Sequence, residues 1–127
     1  ISMRFITNLK PNQVFVFGSN TDGIHGAGAA KFARGYGAKM GQASGRMGQT
    51  YAIVTKDLQS GEFVGWDKVR EQFADFVNYA TVHKSLNFLL TPIGTGIAGA
   101  KLEDLNEMVN EFDLPSNVVR LWQCQTK

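Results

Sequence analysis

Short apolar runs alternate along this chain with segments in which apolar residues recur every three or four positions. An unbroken apolar run is typical of a strand that is buried on both faces of a sheet. Such runs, together with shorter alternating segments, predict five strands. They are Met3–Thr7, Val14–Gly18, Gln49–Thr55, Leu86–Ile93 and Asn117–Gln123.

Three helices are predicted between these strands, at Gly26–Tyr36, Asp67–His83 and Leu102–Phe112. The clearest is Asp67–His83, whose apolar residues fall at i, i+4, i+7, i+8 and i+11, which is one helix face. Those residues are Val69, Phe73, Phe76, Val77 and Ala80. Residues 39–49 and 57–65 are predicted as loops. Strands that alternate with helices predict an α/β fold with a mostly parallel central sheet.

Composition limits the class of protein. The 127 residues, of which 43% are hydrophobic and 19% charged, fit one globular domain over residues 3–127. A net charge of +2, with basic residues that are scattered, disfavours a nucleic-acid interaction module. No segment reaches the roughly 20 apolar residues of a membrane span, and none has the pattern of a signal peptide, so we expect no membrane partner.

Cysteine usage points to a reducing compartment. Cys124 is the single cysteine, which excludes an internal disulfide and a cysteine-based zinc site. We therefore expect a cytoplasmic protein, because disulfides are typical of secreted chains of this size. Neither a metal nor a resident cofactor is expected.

Glycines are concentrated in two places, and both begin where a predicted strand ends. Nine of the fourteen lie between Gly18 and Gly48, and three more lie in Gly94–Gly99. We call Gly18–Ala30 the first glycine loop and Gly94–Gly99 the second glycine loop. In open α/β sheets, ligands bind at the carboxyl ends of the strands, where glycine-rich backbone and helix N-termini hold phosphates. The alternative is that these glycines only make tight turns.

Neither loop has the spacing of the common nucleotide motifs. Both lack the lysine followed by serine or threonine of a P-loop. Gly23, Gly26 and Gly28 give G-x-x-G-x-G rather than the G-x-G-x-x-G of a dinucleotide-binding fold. The sequence therefore favours a phosphate site outside both of these classes.

The two loops resemble the ligand loops of macrodomains. Asn20 followed by Gly26-Ala27-Gly28-Ala29-Ala30 is similar to the first macrodomain loop, and Thr91–Gly99 is similar to the second. The resemblance extends from Val14 to Trp122. Its Gly-Ala-Gly and Ile-Gly-x-Gly elements are closest to the terminal ADP-ribose glycohydrolase branch, and small bacterial and phage macro-like chains are similar.

The resemblance implies a three-layer α/β/α fold that binds ADP-ribose, a related nucleotide derived from NAD, or an ADP-ribosylated substrate. Asn20 would lie near the distal ribose, and the two loops would hold the two sides of the diphosphate. The implied ligand contacts are Gly18, Ser19, Asn20, Gly26, Ala27, Gly28, Gly94, Thr95, Gly96, Ile97 and Ala98.

Two interpretations of the activity stay open. In the first, the protein hydrolyses an ADP-ribosyl bond, with Asn20, Asp22 and His25 positioning water; an imidazole, whose ordinary pKa is about 6.5, suits proton transfer near neutral pH. In the second, the protein is a non-catalytic reader or sponge for the nucleotide. The glycohydrolase branch uses a lysine in the helix after its first loop, where Lys31 is a candidate, and an aspartate where this chain has Ala98.

Overall fold

A six-stranded, mostly parallel sheet and three helices form the framework of the molecule. The structure, a computed structural model, describes residues 8–122, so the predicted strand Met3–Thr7 and Cys124 lie outside the described residues. In chain order the elements are β1 (Gln13–Asn20), α1 (Gly28–Arg34), β2 (Gly45–Met47), β3 (Thr50–Asp57), β4 (Glu62–Phe63), α2 (Trp66–Val82), β5 (Asn87–Leu90), α3 (Leu102–Asn110) and β6 (Val118–Arg120). The predicted α/β class and the mostly parallel sheet are confirmed.

Strand β1 lies at the centre of the sheet. The strand order is β2-β3-β1-β5-β6, and β4 pairs with the far end of β3. β1 runs parallel to β3 and to β5, with Phe15 opposite Thr50 and Val16 opposite Leu90. Only β2 and β4 pair antiparallel, both with β3. The carboxyl ends of β1, β3 and β5 therefore meet at one edge of the sheet.

The residues of β1 point alternately into two separate cores. Val14 and Val16 belong to the larger core, which α2 and α3 cover. Phe15 and Phe17 belong to the smaller core, which contains Ala33 of α1. All four β1 residues are at most 3% exposed. Helices on both faces of the sheet thus explain the unbroken apolar run that begins at Val14.

Helix α2 buries the face that its periodicity predicts. Val69, Phe73, Phe76 and Ala80 are fully buried, and Val77 packs at the margin of the same core. Phe76 contacts Phe73 and, across the helix–sheet boundary, Phe88 of β5, with both ring centroids 5.5 Å away. This aromatic packing fixes α2 against the sheet. No helix within residues 8–122 is both long enough and apolar enough to cross a membrane.

Two short strands lie in segments that the sequence predicts as loops. β2 and β4 have three and two residues, which is too short for a period-two pattern to be visible. Both exist because β3 offers hydrogen-bonding partners on its free side. Helix α1 is shorter than predicted, because Ala27 is still extended, with φ −152°, and a turn at Gly35 ends the helix.

Tyr51 generates a prediction about alkaline stability. Burial raises the pKa of the Tyr51 phenol, and Asp75 and Tyr79 raise this pKa further. The folded protein therefore holds the phenol proton more tightly than the unfolded chain does. This stabilisation is fully present below the unfolded pKa of 10.0 and is lost as the pH rises through the folded pKa.

We expect Tyr51→Phe, which cannot ionise, to lose less stability than the wild type when the pH is raised from neutral to above 10. Urea unfolding midpoints of both proteins at the two pH values measure the difference. Equal losses in the two proteins would contradict the assignment.

Candidate functional site

A cavity of about 390 Å³ opens at the edge where the carboxyl ends of the parallel strands meet. Its volume falls within the range of small-molecule sites. Ten of the eleven predicted ligand contacts line it, namely Gly18, Ser19, Asn20, Gly26, Ala27, Gly28, Gly94, Gly96, Ile97 and Ala98. Six further residues, which the sequence did not single out as contacts, complete the lining: Ile24, Ala29, Ala30, Thr55, Lys56 and Leu58.

The floor of the cavity depends on a close approach at Gly18. A Cβ atom at this position would lie 3.0 Å from the Thr55 Oγ1 atom and 3.3 Å from the Gly94 backbone nitrogen. The end of β1 therefore touches both β3 and the second glycine loop, with no room for a side chain between them. This contact brings the two glycine loops to one cavity.

Asn20 closes the turn that begins the first glycine loop. Its Nδ2 atom donates to the Ile24 carbonyl at 2.8 Å, and its Oδ1 atom accepts from the Ile24 N–H at 2.9 Å. A side-chain amide has two donor hydrogens and two acceptor lone pairs. The turn uses one of each, so Asn20 can shape the loop and still offer a donor and an acceptor to a ligand.

The first glycine loop rests directly on residues 39–43. Gly23 has φ +67°, and a Cβ atom there would lie 2.7 Å from the Gln42 nitrogen. The Gly23 carbonyl accepts from the Gly41 N–H at 2.9 Å. The Ser19 hydroxyl donates to the Ala43 carbonyl at 2.6 Å. A side chain at position 23 would both strain the backbone and push the loop away from its support.

His25 belongs to the first glycine loop, and its side chain is fully buried. Its Nε2 atom is 3.1 Å from the Gln42 carbonyl oxygen, which can only accept, so Nε2 carries the hydrogen. The ring packs edge-on against Phe17, with centroids 5.3 Å apart. Its Nδ1 atom is buried with no hydrogen-bond partner in the described part of the chain. His25 is not part of the cavity lining.

The three residues predicted as catalytic are thus placed differently. Asn20 lines the cavity, whereas Asp22 and His25 do not. The Asp22 residue is exposed, and His25 is buried. None of the residues that line the cavity is an aspartate, glutamate or histidine. Residues 8–122 also contain no group of three His, Cys, Asp or Glu side chains that could hold a metal ion. The catalytic roles of Asp22 and His25 stay predictions that the cavity does not support.

Internal hydrogen bonds hold the second glycine loop in shape. The Thr95 hydroxyl donates to the Pro92 carbonyl at 2.7 Å, and the Thr95 N–H donates to the same oxygen at 3.3 Å. The Ala100 N–H donates to the Gly94 carbonyl at 2.8 Å. Thr95 is the one predicted contact that does not line the cavity, and both of its donors are used inside the turn.

Both glycine loops contain consecutive backbone N–H groups without a partner among the described residues. They include those of Gly26, Ala27 and Gly28 in the first loop and those of Gly96, Ile97 and Ala98 in the second. All six residues line the cavity. Backbone N–H groups that no carbonyl satisfies are the donors with which glycine loops hold anions.

Lys56 is the one charged residue in the cavity lining, taken over the described residues. It lies at the end of β3, opposite Asn20, and the Thr21 N–H donates to its carbonyl oxygen at 3.0 Å. Lys31, the lysine that the resemblance suggested, is exposed on α1 and outside the lining. The sequence could have indicated Lys56, because it directly follows the predicted strand Gln49–Thr55 and so belongs to the same sheet edge.

The position of His25 yields a prediction. His25→Ala leaves the Gln42 carbonyl unpaired and opens a void beside Phe17, so we expect a loss of roughly 2–4 kcal/mol in the free energy of unfolding. Asp22→Ala, at an exposed position three residues earlier, should change it by less than about 0.5 kcal/mol. Urea unfolding of both variants measures this. Full stability in His25→Ala, combined with lost turnover, would instead favour the catalytic hypothesis.

Three comparisons with known proteins bear on the family of this chain. No protein-family model matches the sequence, no curated protein matches it, and no solved structure matches it. The macrodomain resemblance therefore depends on the two loop motifs and their order along the chain, and the functional argument depends on the cavity itself.

Proposed function

We propose that this protein binds ADP-ribose, or a related nucleotide derived from NAD, between its two glycine loops. The observation that carries the proposal is that residues with unpartnered backbone N–H groups, from both glycine loops, line one cavity together with Lys56. Donors on two sides of a cavity suit a ligand with two linked phosphates. The macrodomain arrangement of three layers is part of the same proposal, and helices on both faces of the sheet agree with it.

Charge supports a phosphate ligand over a neutral one. Lys56 is the positively charged residue of a cavity lining that, so far as the structure describes it, has no negative residue. A diphosphate carries the negative charge that would balance it. Helix α1, which begins at Gly28, has only seven residues, so its dipole adds little. The backbone donors and the lysine therefore supply the attraction.

Apolar side chains at the mouth of the cavity suit the remaining parts of a nucleotide. Ile24 of the first glycine loop is 47% exposed, and Ile97 of the second is 69% exposed. Both line the cavity, as does Leu58. Exposed apolar groups at the rim of a polar cavity are typical of binding sites. We propose that the base or a ribose of the ligand covers them.

The content of the cavity favours binding over hydrolysis. Hydrolysis of an ADP-ribosyl bond needs a group that activates water or attacks the sugar. The lining offers no carboxylate or imidazole among the described residues, and Ala98 stands where the glycohydrolase branch has its aspartate. A hydrolase is the second candidate, because the Lys56 amine remains as an ionisable group that could take part.

Gly26 provides the sharpest test of the site. A Cβ atom at Gly26 would meet nothing within 4 Å, and its φ lies outside the left-handed region, so a side chain fits there without strain. We expect Gly26→Glu, which places a carboxylate at the phosphates, to weaken ADP-ribose binding at least about a hundredfold, or roughly 2.7 kcal/mol. Gly26→Ala is the matched control and should stay within about threefold of the wild type.

Titration calorimetry with ADP-ribose measures both Gly26 variants. If Gly26→Glu binds ADP-ribose as tightly as the wild type does, the first glycine loop does not hold the phosphates and the site assignment fails.

Substitution of Lys56 tests whether its charge attracts the ligand, and it also distinguishes a non-catalytic reader from a hydrolase. We expect Lys56→Gln to weaken ADP-ribose binding about tenfold and to leave the weak binding of adenosine unchanged, because only the former is charged. Lys68→Gln, on the exposed surface of α2, is the control and should affect neither. If the wild type releases ADP-ribose from an ADP-ribosylated protein and Lys56→Gln does not, the hydrolase is favoured. If the wild type releases none, the non-catalytic reader is favoured.

A further inference from the structure

The two faces of the sheet carry very different charge. From residue 23 to residue 56 the chain has five basic residues and no acidic one, whereas ten of its eleven acidic residues follow from Asp57 onwards. The fold separates these segments in part, since Arg46 reaches the Tyr79 hydroxyl on the α2 side. Ala33, Ala38 and Met47 pack on the α1 side of the sheet, whereas α2 and α3 cover the other side. The net charge of +2 therefore conceals a cationic α1 face.

Two of these cations form a row that leads away from the cavity. Gly28, Lys31 and Arg34 stand at i, i+3 and i+6 along α1, so they lie on one side of the helix. At about 1.5 Å per residue, Lys31 lies about 4.5 Å and Arg34 about 9 Å beyond Gly28 along the axis. Gly28 lines the cavity, and both cations are exposed. We call Lys31 and Arg34 the α1 cation row.

The α1 cation row is not used inside the fold. Within residues 8–122, the ion pairs formed with carboxylates belong to Arg70, which bonds Asp67 and Glu111. Among the five basic residues of 23–56, Arg46 has described side-chain partners: it donates to the Tyr79 hydroxyl and to the Gly48 carbonyl. Lys31 and Arg34 make no hydrogen bond to a described residue through their side chains, so both are available to a partner.

We propose that the α1 face binds the phosphodiester backbone of a single-stranded nucleic acid whose terminal nucleotide occupies the cavity. This rests on the proposed function, because the cavity must accept a nucleotide. The charge complementarity of a strand is regular: its phosphates continue, at short intervals, the row of anions that begins in the cavity. We specify a single strand because a cavity of about 390 Å³ would take one nucleotide and not a base pair.

The contacts available determine what such a site recognises. Lysine and arginine side chains hold phosphates and carry no base information. The aromatic rings of Phe32 on α1 and of Tyr36 just after it are half-buried and pack against each other with centroids 5.3 Å apart, so they offer little open stacking surface. Binding along α1 is therefore independent of sequence, and selectivity comes from the nucleotide in the cavity.

The test uses the full chain, a short internally labelled oligothymidylate with a terminal phosphate, and fluorescence anisotropy at several salt concentrations. We expect the double variant Lys31→Glu/Arg34→Glu to weaken oligonucleotide binding at least about tenfold and to flatten its salt dependence, because each phosphate neutralised in a single strand contributes about 0.7 to the slope. ADP-ribose affinity by calorimetry, at a salt concentration that screens exposed charges, should fall by a smaller factor than oligonucleotide affinity does. Lys68→Glu/Lys84→Glu reverses two exposed charges on the opposite face and should leave both measurements unchanged.

Several outcomes would overturn the inference. Oligonucleotide binding that is insensitive to the α1 charge reversal excludes the α1 cation row, and tighter binding of polyglutamate identifies an acidic protein as the partner. Failure of ADP-ribose to displace the oligonucleotide excludes the cavity as the place of its end. Lys31→Ala/Arg34→Ala repeats the test if the charge reversal lowers the melting temperature. Failure of the proposed function is recognised separately, because the wild type would then show no ADP-ribose binding.

Discussion

The parallel pairing of β1 with both β3 and β5 is the constraint on which the site depends. Because the three strands run in one direction, their carboxyl ends and the loops that follow them reach the same edge of the sheet. β1 is buried on both faces, so neither core can be repacked without moving the floor of the cavity. The close approach of Gly18 to Thr55 and Gly94 is where this pairing brings the two glycine loops to one cavity.

Much of this arrangement follows from the sequence, and the omissions have physical reasons. The apolar run of β1 and the one-sided face of α2 are local patterns, and the rule that strand ends meet at one edge was sufficient to group the two glycine loops. β2 and β4 were not predictable, since they exist only through pairing with β3. The burial of His25 depends on Gln42, seventeen residues away, and no periodicity indicates such a contact.

The cavity is rich in backbone donors and poor in ionisable groups. Backbone N–H groups are held in place by the fold and need no proton to be gained or lost before they bind an anion. A site of this kind recognises the shape and charge of a phosphate group and contributes little to bond breaking, which needs proton transfer or a nucleophile. Because the lining has few titratable groups, the proposed affinity for an anionic ligand should depend little on pH over the neutral range.

The support of the first glycine loop has a consequence for how affinity can change. Residues 39–43 do not line the cavity, yet they contact the loop through Gly23, His25 and Ser19. The segment that supports the loop is itself largely exposed, with residues 39–42 at the surface. Substitutions in residues 39–43 would shift the backbone of the first glycine loop, so the proposed ligand preference could change without altering any residue of the cavity lining.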